Sequence, residues 1–406
     1  MFLEKIEVSN KVRQTAALIY LLKLESVFPQ FPTSEALTAV SLDINKAYDS
    51  VHPSLLVEKL WRSGLDEVWI RAIHHLLRGR IFAVKIDEQI SGIRAAVVGL
   101  PRRSTIAPAL FKFFLHDSPQ AAEGINEFKF ADDELVIAYG DVDEAKEKME
   151  DFLGDLQTFY EQNGLSCNIA KSNSIVITGT LNRYTVATRE KLKEIEINMN
   201  GWTIPRKNQI KYLGVTITDK WTFIAHLTNS LAKVAGITGA MQKVLKHQKL
   251  LASETKMAFF KAAIRPILGY GFAVWSGISS HQMERLRCAE RKFIRWCRDD
   301  GGRVLGSHKY INSKWIYRDA GVSRIDAWLI DLYIKQMNRF EASSNQLIAA
   351  MFHPENARRC VRRDKYPQPE ALFHLNTLNP LMDAEGRTLH FNQRIRDRGT
   401  VYVTAQ

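Results

Sequence analysis

Glu127-Phe-Lys-Phe-Ala-Asp-Asp-Glu-Leu-Val-Ile-Ala-Tyr139 sets two β-prone runs on either side of an acidic pair, Asp132 and Asp133. Two such runs around a short acidic break predict a hairpin with carboxylates at its tip. Adjacent like charges on a tight turn repel, and water screens them only in part. A hard divalent cation removes that repulsion, which makes the pair a candidate metal ligand. The alternative is a solvated Asp-Asp turn, because Asp favours turns for purely local reasons.

Leu37-Thr-Ala-Val-Ser-Leu-Asp43 is a second β-rich run that ends in an acid, which predicts a buried strand with a carboxylate at its C-terminal edge. Between the two acidic segments the pattern is helical from Pro53 to Arg78, then strand-like over Ile81–Ile86 and Gly92–Val98. A helix is expected over Ser104–His116, with Ser104 or Thr105 as N-cap and Pro108 in its first turns. After the hairpin, Asp141–Gln162 is amphipathic, with Ala145, Met149, Phe152, Leu156 and Phe159 on one face, and Gly164 ends it. Strands are expected at Ser174–Thr178 and Gln209–Thr216. The order strand, helix, strand pair, helix, strand is that of an α+β fold: a split βαβ antiparallel sheet with helices on one side. Ahead of it, Gln14–Phe28 predicts a mostly apolar helix stopped by Pro29. Beyond Thr222 the chain turns mostly helical, over 224–249, 254–264, 281–298 and 327–350, and becomes irregular after Met351.

Composition narrows the class. With 406 residues, 46% hydrophobic and 25% charged, the chain is globular and long enough for two or three domains. Its net charge of +12 points to a polyanionic partner, nucleic acid before membrane. From His281 onward there are 22 Lys+Arg against 14 Asp+Glu, so +8 of that charge lies in the C-terminal part. The four cysteines, Cys167, Cys288, Cys297 and Cys360, have no zinc-type spacing and are too few for a disulfide framework, which predicts a reduced, intracellular protein, nuclear or cytoplasmic. No apolar run has membrane-spanning length and no leader opens the chain, so no membrane partner is expected. Arg285, Arg287, Arg291, Lys292, Arg295 and Arg298, with Phe293 and Trp296 interleaved, fit a phosphate-tracking helix; the alternative is a solvated face over an apolar seam. Adjacent central strands of a split sheet can bring Asp43, Asp132 and Asp133 together. Three such carboxylates suit two divalent ions, and with the basic balance they predict phosphoryl transfer on nucleic acid.

Several segments in order resemble the reverse transcriptases of non-LTR, LINE-type retrotransposons, particularly arthropod jockey-like elements. Leu42-Asp-Ile-Asn-Lys-Ala-Tyr-Asp49 resembles the first catalytic motif and Phe130-Ala-Asp-Asp133 the second metal-binding motif. Gly99-Leu-Pro, Ser104 and Pro108-Ala-Leu-Phe111 resemble the motif between them. Gly164-Leu-Ser-Cys-Asn168 with Lys171 is similar to the next palm motif, Lys211-Tyr-Leu-Gly214 to the primer grip, and Ile264–Gly271 with Trp275 to the thumb.

The resemblance implies a fingers remnant over 1–36, a palm over 37–219, an α-helical thumb over 220–300 and a basic C-terminal region over 301–406. It implies that Asp43, Asp132 and Asp133 hold two Mg²⁺ ions, with Mn²⁺ as a substitute. Tyr48 becomes a steric gate at the sugar, or else a core aromatic. Lys171 stands near the leaving pyrophosphate, or else is a solvated turn lysine. Ser104, Lys211, Tyr212 and Gly214 contact the nucleotide and the primer. The implied partners are an RNA template, a DNA primer and deoxynucleoside triphosphates. The chain departs from the family at Arg102-Arg103, which replace a Gln and a Gly and are expected to put bulk and charge where substrate lies. About 40 residues precede Asp43, so most of the fingers and any upstream endonuclease are expected to be missing. Two rival readings stand beside the polymerase: a non-catalytic nucleic-acid-binding remnant, and an unrelated two-metal nuclease.

Overall fold

The apolar run around Val40 forms strand β1, Glu35–Asp43, in which Ala36–Val40 and Leu42 are all buried. A strand buried on both faces reads as a continuous apolar run, which is why it stands in the middle of the sheet. In the computed structural model the described residues are 35–102, 104–178, 184–244, 251–276, 278–298 and 313–341, with three short strands nearer the C-terminus. The helix expected over Gln14–Phe28, Arg103 and most of the tail lie outside them.

After β1 come the one-turn helix α1, Ala47–Ser50, then α2, Pro53–Arg62, and α3, Glu67–Leu77. Four two-residue strands follow, β2 Ile81–Phe82, β3 Lys85–Ile86, β4 Gln89–Ile90 and β5 Arg94–Ala95, pairing as β2 with β5 and β3 with β4. Helix α4 is Ala107–Phe114. Its N-cap is Ile106, so neither Ser104 nor Thr105 caps it as expected, and Pro108 sits in the first turn, where a missing N–H costs nothing. The acidic hairpin is β6, Ile125–Phe130, and β7, Asp133–Asp141. Helix α5, Val142–Gln162, begins on Asp141, whose carboxylate accepts from the Asp143 N–H, and it packs on β7 and β1 through Ala145, Met149, Phe152, Leu153, Leu156 and Tyr160. Strand β8, Asn173–Ile177, completes a four-stranded antiparallel sheet in the order β6-β7-β1-β8.

The chain continues through α6, Val186–Glu194, and the hairpin β9, Ile197–Met199, and β10, Trp202–Ile204, none of them expected, although alternating Ile195, Ile197 and Met199 before Asn200-Gly201 is a hairpin signal. The single strand expected over Gln209–Thr216 is instead two, β11 Gln209–Tyr212 and β12 Val215–Thr218. Leu213 and Gly214 make the turn between them with φ of 45° and 83°, and glycine at the second position supplies one left-handed conformation without strain.

The described residues divide into two units, one of 35–214 with Thr218–Trp221, the other of Val215–Ile217 with the residues from Thr222 onward. The second unit contains α7, Ile224–Val244; α8, Ser253–Phe259; a π-helical turn, Phe260–Ile264; α9, Arg265–Gly269; α10, Phe272–Trp275; α11, Ser280–Cys297; α12, Ser313–Asp319; and α13, Ile325–Glu341. Among the described residues its interior holds buried ion pairs around two carboxylates, Glu290 and Asp326. Arg265 donates to Glu290 at 2.8 Å, and Glu290 also accepts from the Tyr317 hydroxyl and the Ile325 N–H. Asp326 pairs with Arg287 and, at 2.6 Å, with Arg324.

Candidate active site

Antiparallel register brings the three acids together. Asp43, the last residue of β1, lies opposite Asp133, the first of β7. Phe130 pairs with Asp133 across the hairpin, so the turn consists of Ala131, at φ 56°, and Asp132. A strand end and a hairpin tip some 90 residues apart in sequence thus meet at one end of the two central strands. The electrostatics agree: partial burial, then the charge of Asp132, then that of Asp43 raise the pKa of Asp133.

The donor set is all carboxylate, which suits a hard cation such as Mg²⁺. Among the described residues no three Asp, Glu, His or Cys side chains stand close enough to form a ready-made metal cage.

Tyr48 lies close enough to Asp132 to feel its charge, and Gly99–Arg102 runs against Tyr48 and Asp49. Burial and then the charge of Asp132 raise the pKa of Tyr48, whose ring stacks on Phe111 at 4.8 Å between centroids. Gly99 and Leu100 donate their N–H groups to Val51 and Tyr48 at 2.8 and 2.7 Å, which lays the segment along α1. A Cβ on Gly99, at φ +88°, would stand 2.8 Å from the Asp49 Cα, so only glycine fits. Arg102 Nε donates to Asp49 Oδ1 at 2.8 Å and its Nη2 to Oδ2, an exposed ion pair that gives the guanidinium a carboxylate partner. Ser104 Oγ accepts from the Ile106 N–H at a long 3.4 Å.

Two further predicted segments flank the acids. Lys171 is exposed on the turn Asn168–Ser172, and this turn holds the backbone of Asp43 through Asn168 and Ser172. Tyr212 is buried at the end of β11, donates its hydroxyl to the Phe128 carbonyl at 3.3 Å and has its pKa raised by burial and then by Asp133 and Glu134. Lys211 and Gly214 are exposed on either side of it.

The basic helix does not carry the surface expected of it. On α11, Arg287 is buried against Asp326, while Arg291 pairs with Glu284 at 2.5 Å and Arg298 with Asp319 at 3.0 Å. Phe293 and Trp296 are buried, Phe293 stacking on Phe260, so neither is available to a base. The periodicity that suggested a basic strip interleaved with aromatics is that of a helix whose apolar side and some of whose arginines both face inward.

Sequence reasoning missed Asp49 as the partner of Arg102, Ser172 beneath Asp43, and Glu134, a buried acid next to the Asp132-Asp133 pair. Strand β7 is buried without alternation from Glu134 to Ala138, so the signal for Glu134 was its place at the head of a continuous apolar run rather than a period of two.

An antiparallel sheet presenting a strand-end acid beside a hairpin acid pair, with helices packed against it, is the arrangement of a nucleotidyl-transferring palm. The chain belongs to the reverse transcriptase family: the profile described as Reverse transcriptase (RNA-dependent DNA polymerase) matches residues 14–217. Similar proteins include the RNA-directed DNA polymerase from mobile element jockey of Drosophila melanogaster, 26% identical over 82% of this chain and 36% of the relative. The probable RNA-directed DNA polymerase from transposon X-element of the same fly is 24% identical over 88% of this chain and 37% of the relative. The chain therefore spans about a third of the length of these relatives. Among solved structures, telomerase from Candida albicans with a fragment of telomeric RNA matches at 13% identity and a TM-score of 0.41, covering 93% of this chain and 56% of that one. No described helix is long and apolar enough to cross a membrane.

Proposed function

We propose that this chain is the palm and thumb portion of a non-LTR retrotransposon reverse transcriptase, which extends a DNA primer on an RNA template from deoxynucleoside triphosphates. In this reading residues 37–219 are the palm, 220–300 the thumb and 301–406 a basic C-terminal region. The observation that carries it is the register that sets Asp43 opposite Asp133 with Asp132 in the adjoining turn. These acids hold two divalent ions, Mg²⁺ or Mn²⁺. Once bound, the ions supply the positive charge that activates the primer 3′-hydroxyl and stabilises the leaving pyrophosphate. Tyr48, stacked on Phe111, limits the space at the sugar 2′-position. Lys171 donates a proton towards the pyrophosphate. Ser104 faces the incoming nucleotide, and the Lys211–Gly214 turn supports the primer strand.

A second reading, a nucleic-acid-binding remnant without turnover, is favoured by the Arg102-Arg103 departure. Thermal melting and primer extension separate the two. Asp132 and Asp133 repel each other in the apo fold, so Mg²⁺ or Mn²⁺ raises the wild-type melting temperature, by about 2.7 kcal/mol of stability at a hundredfold excess over Kd. Asp132→Asn with Asp133→Asn abolishes that rise, and an equal rise in both proteins overturns the metal site. Metal-dependent primer extension by the wild type selects the enzyme over the remnant.

A further inference from the structure

Asp43 is held from beneath by a turn that the ladder of the sheet does not reach. Strand β8 pairs with β1 only as far as Ser41 opposite Asn173, two residues short of Asp43. Past that point the turn Asn168–Ser172 takes over the hydrogen bonding. The Asn168 N–H donates to the Asp43 carbonyl at 2.7 Å, and the Asp43 N–H donates to Ser172 Oγ at 3.1 Å. The Ser172 hydroxyl then donates to the Asn168 carbonyl at 2.9 Å, closing a ring. Lys171 belongs to the same ring, because its N–H also donates to the Asn168 carbonyl, at 3.0 Å. Ser172 is fully buried, with Cys167 Sγ 3.4 Å from its Oγ, so water cannot replace its hydroxyl.

We propose that Ser172 is a positioning residue of the polymerase site, a clasp that holds the Asp43 carboxylate and the Lys171 ammonium in one frame; the proposal rests on the roles given to those two residues above. One hydroxyl accepts from the strand and donates to the turn at once, which neither alanine nor valine can do. Its removal leaves the Asp43 N–H without its acceptor in a covered position. Ser172 touches neither the carboxylate nor the ammonium. Its effect therefore passes through geometry, and a displacement of about 1 Å in a metal-holding acid can cost a hundredfold in rate.

The test uses the full chain as wild type, Ser172→Ala, Ser172→Cys and Ser172→Thr. Hydrogen exchange at the Asp43 amide is expected to quicken about tenfold or more in the alanine variant, and the Mn²⁺ midpoint of the thermal shift to rise several-fold. Nucleotide incorporation is expected to lose about tenfold or more in kcat with little change in KM. Threonine restores all three, and cysteine, a weaker acceptor, falls between. Should the alanine variant fail to fold, the graded order of threonine and cysteine decides, and a cysteine variant equal to wild type overturns the clasp. Unchanged exchange at Asp43 in the alanine variant overturns it too. Faster exchange with an unmoved metal midpoint leaves Ser172 a purely structural residue, which also overturns the proposal. A wild type that incorporates no nucleotide counts against the polymerase reading alone, because the exchange and metal measurements still decide Ser172.

Discussion

Glu134 follows Asp133 on β7 but faces the interior, where it is 1% exposed. Tyr160 donates its hydroxyl to one carboxyl oxygen, and the other has no hydrogen-bond partner among the described residues. Burial pushes its pKa up to about 8. The Lys129 ammonium offsets part of this, being nearer to Glu127 at 2.7 Å than to Glu134 at 3.9 Å. An unfolded glutamate loses its proton near 4.5, whereas folded Glu134 keeps it to about 8. The folded form therefore binds more protons across that window, and this group's contribution to stability falls as pH rises through it, levelling off above. Glu134→Gln should melt higher than wild type by a margin that widens from pH 5 to pH 8 and is constant beyond; a margin independent of pH shows that Glu134 is ionised throughout. The hairpin and its acids could be read from a local pattern of alternation and charge. Arg102 and Asp49, 53 residues apart, could not, because a long-range ion pair leaves no mark on the sequence around either partner. If Asp49 does restrain Arg102, Asp49→Asn should lower nucleotide incorporation in wild type and have a smaller effect in an Arg102→Gln background. Equal effects in the two backgrounds mean that the pair is uncoupled.

At the scale of elements, the Gly99–Pro101 segment lies where a local signal and a tertiary contact meet. Glycine before Leu-Pro suggests a turn, but the reason that only glycine serves is the Asp49 backbone, 2.8 Å from the place a Cβ would take. Gly99→Ala combines that clash with a left-handed φ of +88°, so it should cost more than about 1 kcal/mol in urea unfolding. A loss below that means α1 moves aside freely. Strands β1, β7 and β8 were legible as continuous β-prone apolar runs, and helix α5 as a long amphipathic one. The strand-like runs Ile81–Ile86 and Gly92–Val98 hold β2, β3 and β5, but each strand is only two residues, and β4 at Gln89–Ile90 was not expected. The break at Leu213-Gly214 was missed because the residues around it are uniformly β-prone, and the turn shows only in the pairing of β11 with β12.

Across the whole molecule, the net charge of +12 overstates what α11 offers a polyanion. Composition counts charges but does not say which have internal partners, and Arg287, Arg291 and Arg298 all have carboxylates. Arg285 and Lys292 are placed differently, on the rim of a groove of about 520 Å³ between α7 and α11, floored by Leu231, Val234, Ala289 and Phe293. If the second unit binds nucleic acid through α11, these two side chains carry the phosphate contacts. Arg285→Gln with Lys292→Gln should then flatten the dependence of log affinity on log salt by up to about two units, one per lost contact, with little change in melting temperature. Arg287→Gln should behave in the opposite way. It leaves buried Asp326 with Arg324 as its cationic partner among the described residues, so it should cost about 3 kcal/mol of stability, and it should not change the salt slope. Both proteins can be titrated with the same single-stranded RNA over a range of salt and melted in the same buffers. If Arg287→Gln flattens the slope while the rim pair does not, Arg287 reaches the phosphates and its burial against Asp326 is not the state that binds.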